Sequence, residues 1–238
     1  MKTLKPYFQL LRIVNLPTVP GDVLVGAAAV LLPASALKSL AAVPQPLAIV
    51  AAALAGVLLY LLGLVDNDIV GAATDRDRPI PRGEISLFAA RVLRAILLVA
   101  AVAVAWGAGL PKGWWLNAAE LLAAIAIYNR TKWPLAMGLC RALNVLGGAF
   151  ALGYGLSWQA GAVALVALVY IAAVTRYSRG EELDAEKRRR VGALVCGVIY
   201  LQLAALLVFP IRPLLITGAL LLVALRILKR TLPEVSAS

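Results

Sequence analysis

The chain has no histidine and only two cysteines, Cys140 and Cys196, each alone in an apolar stretch. Histidine and closely spaced cysteines are the usual zinc ligands in proteins, and no CxxC spacing is present. Neither a zinc site nor a disulfide is therefore predicted. Acidic residues are also few, at 12 in 238 residues, so a group of them in one short stretch indicates a specific role.

Charged residues make up only 15% of the sequence, whereas 62% of its residues are hydrophobic. Segments such as 47–65 and 214–225 carry no charge, and several apolar runs approach the roughly 20 residues that cross a bilayer. The basic segment 1–12 has no small-residue cleavage site after it and is predicted to lead into the first span. We therefore predict an all-α integral membrane protein in which residues 1–238 form a single domain.

The distribution of the apolar runs predicts a bundle of about eight transmembrane helices. They are placed at residues 16–34, 46–66, 88–109, 113–129, 136–157, 160–177, 191–209 and 212–229. The first and fifth helices are entered through the same spacing, Arg12-x-x-Asn15 and Arg141-x-x-Asn144. Because the second helix of each set of four leads into an acidic loop, we predict a four-plus-four pseudo-repeat.

The 23 Lys and Arg residues give a net charge of +11 and are distributed unevenly. They concentrate in alternate connecting segments, at 2–12, 76–82, 130–132, 176–190 and 229–230. The other connections hold only Lys38, Lys112 and Arg212. This bias is typical of the cytoplasmic side of a cell's inner membrane, so both termini and the acidic loops are predicted to be cytoplasmic. It also accounts for the positive charge without a nucleic-acid partner, and none is predicted.

Two of the predicted cytoplasmic loops hold most of the acidic residues. The loop after helix 2 has Asp66, Asp68, Asp75, Asp77 and Glu84, and the loop after helix 6 has Glu181, Glu182, Asp184 and Glu186. On a continuous helix, Asp68 and Asp75 would lie two turns apart on one face, with Asn67 beside them. Oxygen ligands grouped in this way suit Mg²⁺ and phosphate, and Arg76, Arg78 and Arg82 could meet the same phosphates. A charge-balanced, solvated loop remains the alternative.

Five polar residues within the spans are predicted to face the bundle interior or a water-filled cavity, because polar groups are unfavourable in lipid. They are Asp22, Asn117, Glu120, Arg141 and Asn144. Arg141 and Asn144 follow the segment 128–132 and form a cationic cluster with it at the height of the acidic loops. A snorkelling Arg and a helix-packing Asn remain the alternative there, and Arg91 and Arg94 are predicted to snorkel.

Asn67 and Asp68, with the segment 77–86 (DRPIPRGEIS) behind them, are similar to two motifs of the UbiA-type superfamily of intramembrane prenyltransferases. These motifs are Asn-Asp-x-x-Asp-x-x-x-Asp and the Arg-Pro-x-Pro-x-Gly loop. The resemblance covers nearly the whole chain from 15–22 (NLPTVPGD) onward, and segments 138–144 and 178–181 resemble the EboC-like branch most. The resemblance implies a helical bundle whose two acidic loops hold Mg²⁺ and the diphosphate of a polyprenyl donor. The prenyl tail would lie in an apolar cavity, and an aromatic or lipid acceptor would attack its C1 atom.

The resemblance also implies roles for particular residues. Asn67, Asp68 and Asp75 are expected to be catalytic and to hold one Mg²⁺, and Glu181 and Glu182 to hold another. The residues expected to bind substrate are Asn15, Arg78, Tyr128, Lys132, Arg141, Asn144 and Arg179. The implied function is Mg²⁺-dependent transfer of a polyprenyl group from a prenyl diphosphate to an aromatic or lipid acceptor, among membrane lipids.

The sequence departs from the family pattern at three points. Gly71 stands where the first motif has its middle Asp, the second loop lacks the family's regular Asp spacing, and eight helices are predicted where the family usually has nine. These departures leave open a catalytically silent UbiA-fold protein that binds lipid or diphosphate, or that is associated with export. A transporter with Asp22 and Glu120 as midplane charges is a further alternative. No motif identifies the acceptor or the prenyl chain length.

The predicted topology can be tested by cysteine labelling. In a variant that lacks Cys140 and Cys196, a cysteine placed near Gly83 should react with a membrane-impermeant maleimide only from the cytoplasmic side, because the Lys and Arg bias places this loop there. A cysteine near Lys112 is the opposite control and should react only from outside. Labelling near Gly83 from the outside would overturn the topology.

Overall fold

The computed structural model describes residues 4–31, 45–76, 78–180, 185–208 and 212–231. The α-helices in these ranges are α1 Lys5–Leu10, α2 Thr18–Val30, α3 Pro46–Val70, α4 Leu87–Gly107, α5 Lys112–Thr131, α6 Pro134–Ala151, α7 Trp158–Ser178, α8 Ala185–Val208 and α9 Arg212–Thr231. Short 3₁₀ turns at Ile13–Asn15 and Gly71–Ala73 precede α2 and follow α3. The predicted all-α polytopic fold is confirmed, since α2 to α9 match the eight predicted helices in order and the short α1 is additional.

Six segments of the described chain are long and apolar enough to cross a membrane. They are Ile13–Val30, Pro46–Ala73, Leu87–Gly107, Pro134–Ala151, Trp158–Ser178 and Arg189–Val208. Helices α5 and α9 do not meet the same criterion, and the apolar part of α9 is limited to Ile216–Leu228. The protein is therefore an integral membrane protein, although α5 and α9 are less apolar than its other long helices.

Helix α3 carries the first acidic residues to the edge of the membrane. It has 25 residues, and at about 1.5 Å per residue its length of roughly 37 Å exceeds the ~30 Å hydrocarbon core of a bilayer. Residues 46–65 carry no charge and are enough to cross that core. Asp66, Asn67 and Asp68 consequently lie in the last turns of the helix, at the end of the span.

Helix α2 lies at the centre of the bundle and packs directly on α6. Of its 13 residues, 12 are buried. The two backbones approach closely at Gly148 of α6, where a Cβ would lie 2.0 Å from the Val23 carbonyl oxygen of α2. Small residues allow this kind of approach between membrane helices. Because α2 and α6 begin the two predicted sets of four helices, their contact joins the two sets.

A buried polar network ties α2 to α6 and α8. The Asp22 carboxylate pairs with Arg141 Nε at 3.1 Å. It also accepts hydrogen bonds from Asn144 Nδ2 at 3.1 Å and from Gln202 Nε2 at 2.7 Å. Arg141 Nη2 and Gln202 Nε2 donate to the Thr18 carbonyl oxygen as well, at 2.9 and 2.8 Å. These donors compensate the buried carboxylate for its lost hydration.

Most of the polar residues predicted to face the interior do so. Those found buried are Asp22, Asn117, Arg141 and Asn144. Glu120 lies at the edge of the buried face of α5 and is exposed, so its prediction is wrong and the transporter alternative loses one of its two midplane charges. Arg94 Nη1 pairs with Asp66 Oδ1 at 2.7 Å and joins α4 to the end of α3, and its snorkelling stays a prediction.

Candidate active site

The first acidic loop forms where α3 ends. Asp68 is buried in the last turn of the helix. The prediction that Asp68 and Asp75 share one continuous helix is wrong, since the α-helix ends at Val70 and a 3₁₀ turn follows. This tighter turn brings Asp75 back beside Gly71, where a Cβ would lie 2.7 Å from Asp75 Oδ2. The missing side chain at Gly71 therefore leaves room for the Asp75 carboxylate.

Asp68 has a carboxylate that is buried and unsatisfied. Its side chain is 1% exposed, and neither Oδ1 nor Oδ2 has a hydrogen-bond partner among the described residues. Arg78 Nη1 lies 3.9 Å from Oδ1, at the outer limit of an ion pair. Leaving a buried charged group without partners costs at least about 1–3 kcal/mol. Asp68 is therefore well suited to bind a cation that comes from outside the protein.

Lys132 approaches the same loop from α5. It ends that helix in a left-handed conformation with φ of 53°, and its Nζ donates a hydrogen bond to Asn67 Oδ1. The ammonium also lies over the Tyr128 ring, 5.7 Å from the ring centre. Partial burial lowers the pKa of Lys132 from its ordinary value, and the negative charge of Asp75 opposes this shift. A protein cation thus stands beside the predicted Mg²⁺ ligands.

Arg12 is a site residue that the sequence patterns did not identify. It lies between α1 and the first 3₁₀ turn with φ of 41°, a left-handed conformation that is unusual for a residue with a side chain. Its Nε is buried and has no hydrogen-bond partner in the described part of the chain. The Arg12-x-x-Asn15 spacing contained a signal, since it makes Arg12 the counterpart of Arg141. A cation before the first span is, however, equally typical of a residue that only sets topology.

A cavity of about 70 Å³, which we call the first cavity, lies in the bundle beside Asn67 and Arg12, whereas Asp68 and Lys132 do not line it. Its polar walls are formed by Arg12, Asn67, Tyr128, Asn129, Arg141 and Asn144. Its apolar walls include Leu64, Leu121 and Ile125. A cavity with cations on one wall and hydrocarbon on the others suits a molecule that has an anionic head and an apolar tail.

Three predicted substrate-binding residues have partners within the protein. Arg141 and Asn144 are held by Asp22, although both still line the first cavity. Arg179 Nη2 donates to the Lys132 carbonyl oxygen at 3.2 Å, which joins the end of α7 to the end of α5. Contacts within the protein therefore already hold these three side chains in place beside the site.

Asn15 and Arg82 lie near the site but do not line its cavity. The Asn15 carbonyl oxygen accepts a hydrogen bond from Thr18 Oγ1 at 2.8 Å, at the start of α2. Arg82 Nη2 donates to Gln9 Oε1 at 3.1 Å and pairs with Glu84 Oε2 at 2.9 Å. Arg82 therefore fixes the first loop against α1. Because its guanidinium already has these two partners, the structure does not support its predicted contact with phosphate.

The donor atoms around Asp68 fit a Mg²⁺ ion. Within the described residues, no group of three acidic or cysteine side chains is close enough to hold a metal alone. Asp68 nevertheless offers two unpartnered oxygens, and its charge interacts with that of Asp75. Mg²⁺ usually takes one or two protein carboxylates and fills its other positions with water and substrate phosphates. The predicted ligands Glu181 and Glu182 lie outside the described residues and stay predictions.

Solved structures match the fold, whereas no protein-family model and no curated protein sequence matches the chain. A structure of a digeranylgeranylglyceryl phosphate synthase matches over 99% of this chain and 92% of its own, with a TM-score of 0.58 and 19% sequence identity. A UbiA homologue from Archaeoglobus fulgidus has been solved with GPP and Mg²⁺ and with DMAPP and Mg²⁺. Both structures match over 96% of this chain and 87% of their own, with a TM-score of 0.56 and 16% identity.

The fold and the site together define a class, a polytopic helical membrane protein with basic residues in the lining of a largely apolar cavity and acidic residues at the neighbouring end of α3. Within that class the chain has the fold of the UbiA-type intramembrane prenyltransferases. The resemblance found in the sequence motifs is confirmed at the level of the fold. The EboC-like branch stays a prediction.

Asp68→Asn and Asp66→Asn should differ in both stability and ligand binding. Asp68→Asn removes a buried charge that has no hydrogen bonds and only a long ion pair with Arg78, so its unfolding midpoint in detergent should stay equal or rise by about 2–4 °C. Its Mg²⁺-dependent binding of a prenyl diphosphate should fall at least about tenfold. Asp66→Asn breaks the pair with Arg94 and should lower the midpoint, whereas its amide oxygen can still accept from Asn129 Nδ2, so binding should stay intact. A lower midpoint for Asp68→Asn than for Asp66→Asn would contradict this account of Asp68.

Proposed function

We propose that this protein is a Mg²⁺-dependent intramembrane prenyltransferase, which moves a polyprenyl group from a prenyl diphosphate to an aromatic or lipid acceptor. One observation carries the proposal: the Asp68 carboxylate is buried without hydrogen-bond partners and lies within the electrostatic reach of cations beside an apolar cavity. These cations are Arg12, Arg78 and Lys132. A diphosphate with its metal needs charges of both signs, and its prenyl chain needs hydrocarbon surroundings. The UbiA homologue solved with GPP and Mg²⁺ has the same fold and supports the proposal.

In this proposal the donor diphosphate lies between the cations and the Asp68 carboxylate. Arg12 is placed to bind it because its buried Nε has no other partner among the described residues. Arg78 supplies a second guanidinium, and Lys132 can exchange its contact with Asn67 for a phosphate oxygen. Hydrogen bonds between ionised partners are roughly twice as strong as neutral ones, so these cations favour the diphosphate over an uncharged head.

The donor tail occupies the first cavity, and the side chain of Met137 can move to make room for it. The cavity measures about 70 Å³. Benzene fits a cavity of about 150 Å³, so even a short prenyl chain requires side chains to move. Met137 lines the cavity, and methionine has three rotatable bonds that allow such movement. The prenyl chain is therefore expected to enlarge the cavity as it binds.

Prenyl transfer follows from this arrangement. The C1–O bond of the donor breaks with its electron pair going to the diphosphate, whose negative charge Arg12, Arg78 and Lys132 stabilise. Mg²⁺, when held by Asp68 and Asp75, supplies further positive charge at the leaving group. The nucleophilic atom of the acceptor bonds to C1, and the proton that it loses passes to the released diphosphate. The apolar walls keep water from C1, which favours transfer over hydrolysis.

The proposed reaction takes place at the cytoplasmic side of the inner membrane, and the Lys and Arg bias of the sequence supports a cytoplasmic position for both termini and the acidic loops. Glu181 and Glu182 of the second loop are the proposed ligands of a second Mg²⁺. Membrane lipids cover the outward apolar face of α4, on which Val99 and Trp106 are 67% and 77% exposed. No nucleic-acid partner is proposed.

A catalytically silent protein on the same fold, which binds lipid or diphosphate, is the second candidate. Two observations favour it. Gly71 supplies no carboxylate to the first loop, and the Lys132 ammonium adds a positive charge at Asn67. Both weaken the attraction of the loop for a metal ion. The two candidates differ in the release of diphosphate, which only an enzyme performs.

Wild-type protein in lipid vesicles, given Mg²⁺, a set of prenyl diphosphates and mixed acceptors, should release diphosphate. Gly71→Asp and Gly71→Ala should both lower this release, by about tenfold, because a Cβ at position 71 would lie 2.7 Å from Asp75 Oδ2 and displace its carboxylate. Gly155→Ala is the control, since a Cβ there meets no atom within 4 Å. A silent wild type, with release appearing only in Gly71→Asp, would refute the enzyme and favour the second candidate.

Arg12→Gln should raise the KM for the prenyl diphosphate at least about tenfold, because a charge-assisted contact to phosphate is worth more than 1.4 kcal/mol or so. Arg76→Gln is the matched control. Arg76 is an exposed cation of the first loop and does not line the first cavity, so its loss should change KM by less than about twofold. Equal effects of the two substitutions would mean that positive charge in general, and not a contact from Arg12, attracts the donor.

A further inference from the structure

A second cavity lies on the other side of the Asp22 network, between α7 and α8. Its volume is about 330 Å³, whereas the first cavity measures about 70 Å³. The walls that these two helices contribute include Ala162, Val166, Ala167, Val198, Ala204 and Ala205. The space exists because the side chains that line it are mostly Ala and Val, which are too small to fill the gap between the helices.

The second cavity is apolar except for groups that already have partners. Asp22 and Gln202 are hydrogen-bonded to each other at 2.7 Å. The Tyr170 hydroxyl donates to the Leu194 carbonyl oxygen at 2.7 Å. A molecule that enters therefore finds apolar surface to cover and few polar atoms to satisfy. Such a lining favours hydrocarbon over any polar ligand.

The second cavity opens sideways into the membrane. Val166 of α7 and Val208 of α8 line it and are 56% and 69% exposed. Both belong to segments that are long and apolar enough to cross a bilayer. If a cavity of about 150 Å³ holds the six carbons of benzene, this one holds roughly a dozen carbon atoms. One hydrocarbon chain that enters from the bilayer fits this space.

Arg141 connects the second cavity to the proposed donor site, because it lines both cavities. Its Nε and Nη2 are bonded to Asp22 and to the Thr18 carbonyl oxygen. A lipid whose chain fills the second cavity would have its polar head near this guanidinium, next to the cavity that receives the donor.

We propose that the second cavity receives the hydrocarbon chain of the acceptor, so that the acceptor is a lipid and not a free aromatic molecule. This proposal rests on the prenyl transfer proposed above. In the reaction, the nucleophilic atom of the lipid head bonds to C1 of the donor. The C1–O bond to the diphosphate breaks with its electron pair going to the diphosphate, which also takes the proton that the head loses.

Photolabelling tests where the chain lies. The probe is hexadecylglycerol with a diazirine in its alkyl chain, incorporated in phosphatidylcholine vesicles that contain the protein. It should label peptides of α7 and α8 in the wild type. Ala167→Phe fills the second cavity and should lower this labelling at least about tenfold, since an overfilled space excludes the chain. Ala173→Phe is the matched control, because Ala173 is exposed on the same helix and lines neither cavity.

Transfer assays in the same vesicles test whether that chain belongs to the acceptor. With geranyl diphosphate as donor, Ala167→Phe should lower transfer to hexadecylglycerol about tenfold and leave transfer to butylglycerol and binding of the donor unchanged. Ala205→Leu is a smaller change on α8 and should also lower transfer to hexadecylglycerol. This second variant shows whether the loss in Ala167→Phe comes from filling the cavity or from misfolding.

Three outcomes would overturn the proposal. Labelling or transfer that survives in both filled variants would show that no acceptor chain uses the second cavity. Lost labelling with unchanged transfer would make the occupant an ordinary bilayer lipid. A wild type that releases no diphosphate from any donor would refute the prenyl transfer itself, and with it the acceptor, even where labelling locates a chain between α7 and α8.

Discussion

The buried Asp22 carboxylate is the constraint on which the rest of the bundle depends. A charge in an apolar interior must be paired and hydrogen-bonded, and Arg141 and Gln202 can reach it only when α6 and α8 lie in fixed positions against α2. Replacing such a buried pair by apolar residues is often neutral or stabilising, so its use here is to specify one arrangement of helices. Arg141 of the same network lines both cavities, so the network also fixes the position of the wall that they share.

Asp68 is also a buried carboxylate, but it lacks the hydrogen bonds that Asp22 has. Asp22 has three side-chain partners, whereas the Asp68 oxygens have no hydrogen bond among the described residues. A bound ligand can compensate a buried charge that has no hydrogen bonds. The hydrogen-bond partners of a buried acid therefore distinguish a structural role from a ligand-binding role more clearly than sequence spacing does. Arg12, with its buried and unpartnered Nε, presents the complementary charge. Together the two groups form the site proposed above for a metal and an anion.

The sequence predicted the helices well because apolar runs bounded by charges follow directly from the thickness of a bilayer. It placed Asp68 in the loop after the second predicted helix, at residues 46–66, whereas α3 continues to Val70 and holds Asp68 in its last turn. Features that depend on single turns were not predictable. The left-handed φ of Arg12 and Lys132 redirects the chain at those residues, and the 3₁₀ turn after Val70 moves Asp75 off the helix face. The second cavity depends on how α7 and α8 pack, which no local pattern encodes.

The central claim is that Asp68 and Arg12 bind the two parts of one ligand, a metal ion and a diphosphate. An experimental structure of the protein in lipid, with Mg²⁺ and a non-reactive thio analogue of a prenyl diphosphate, tests this most directly. The account predicts a metal on the Asp68 and Asp75 carboxylates, a phosphate oxygen within hydrogen-bond distance of Arg12 Nε, and a prenyl chain in the first cavity. A diphosphate bound elsewhere, with the Asp68 oxygens still unpartnered, would contradict it.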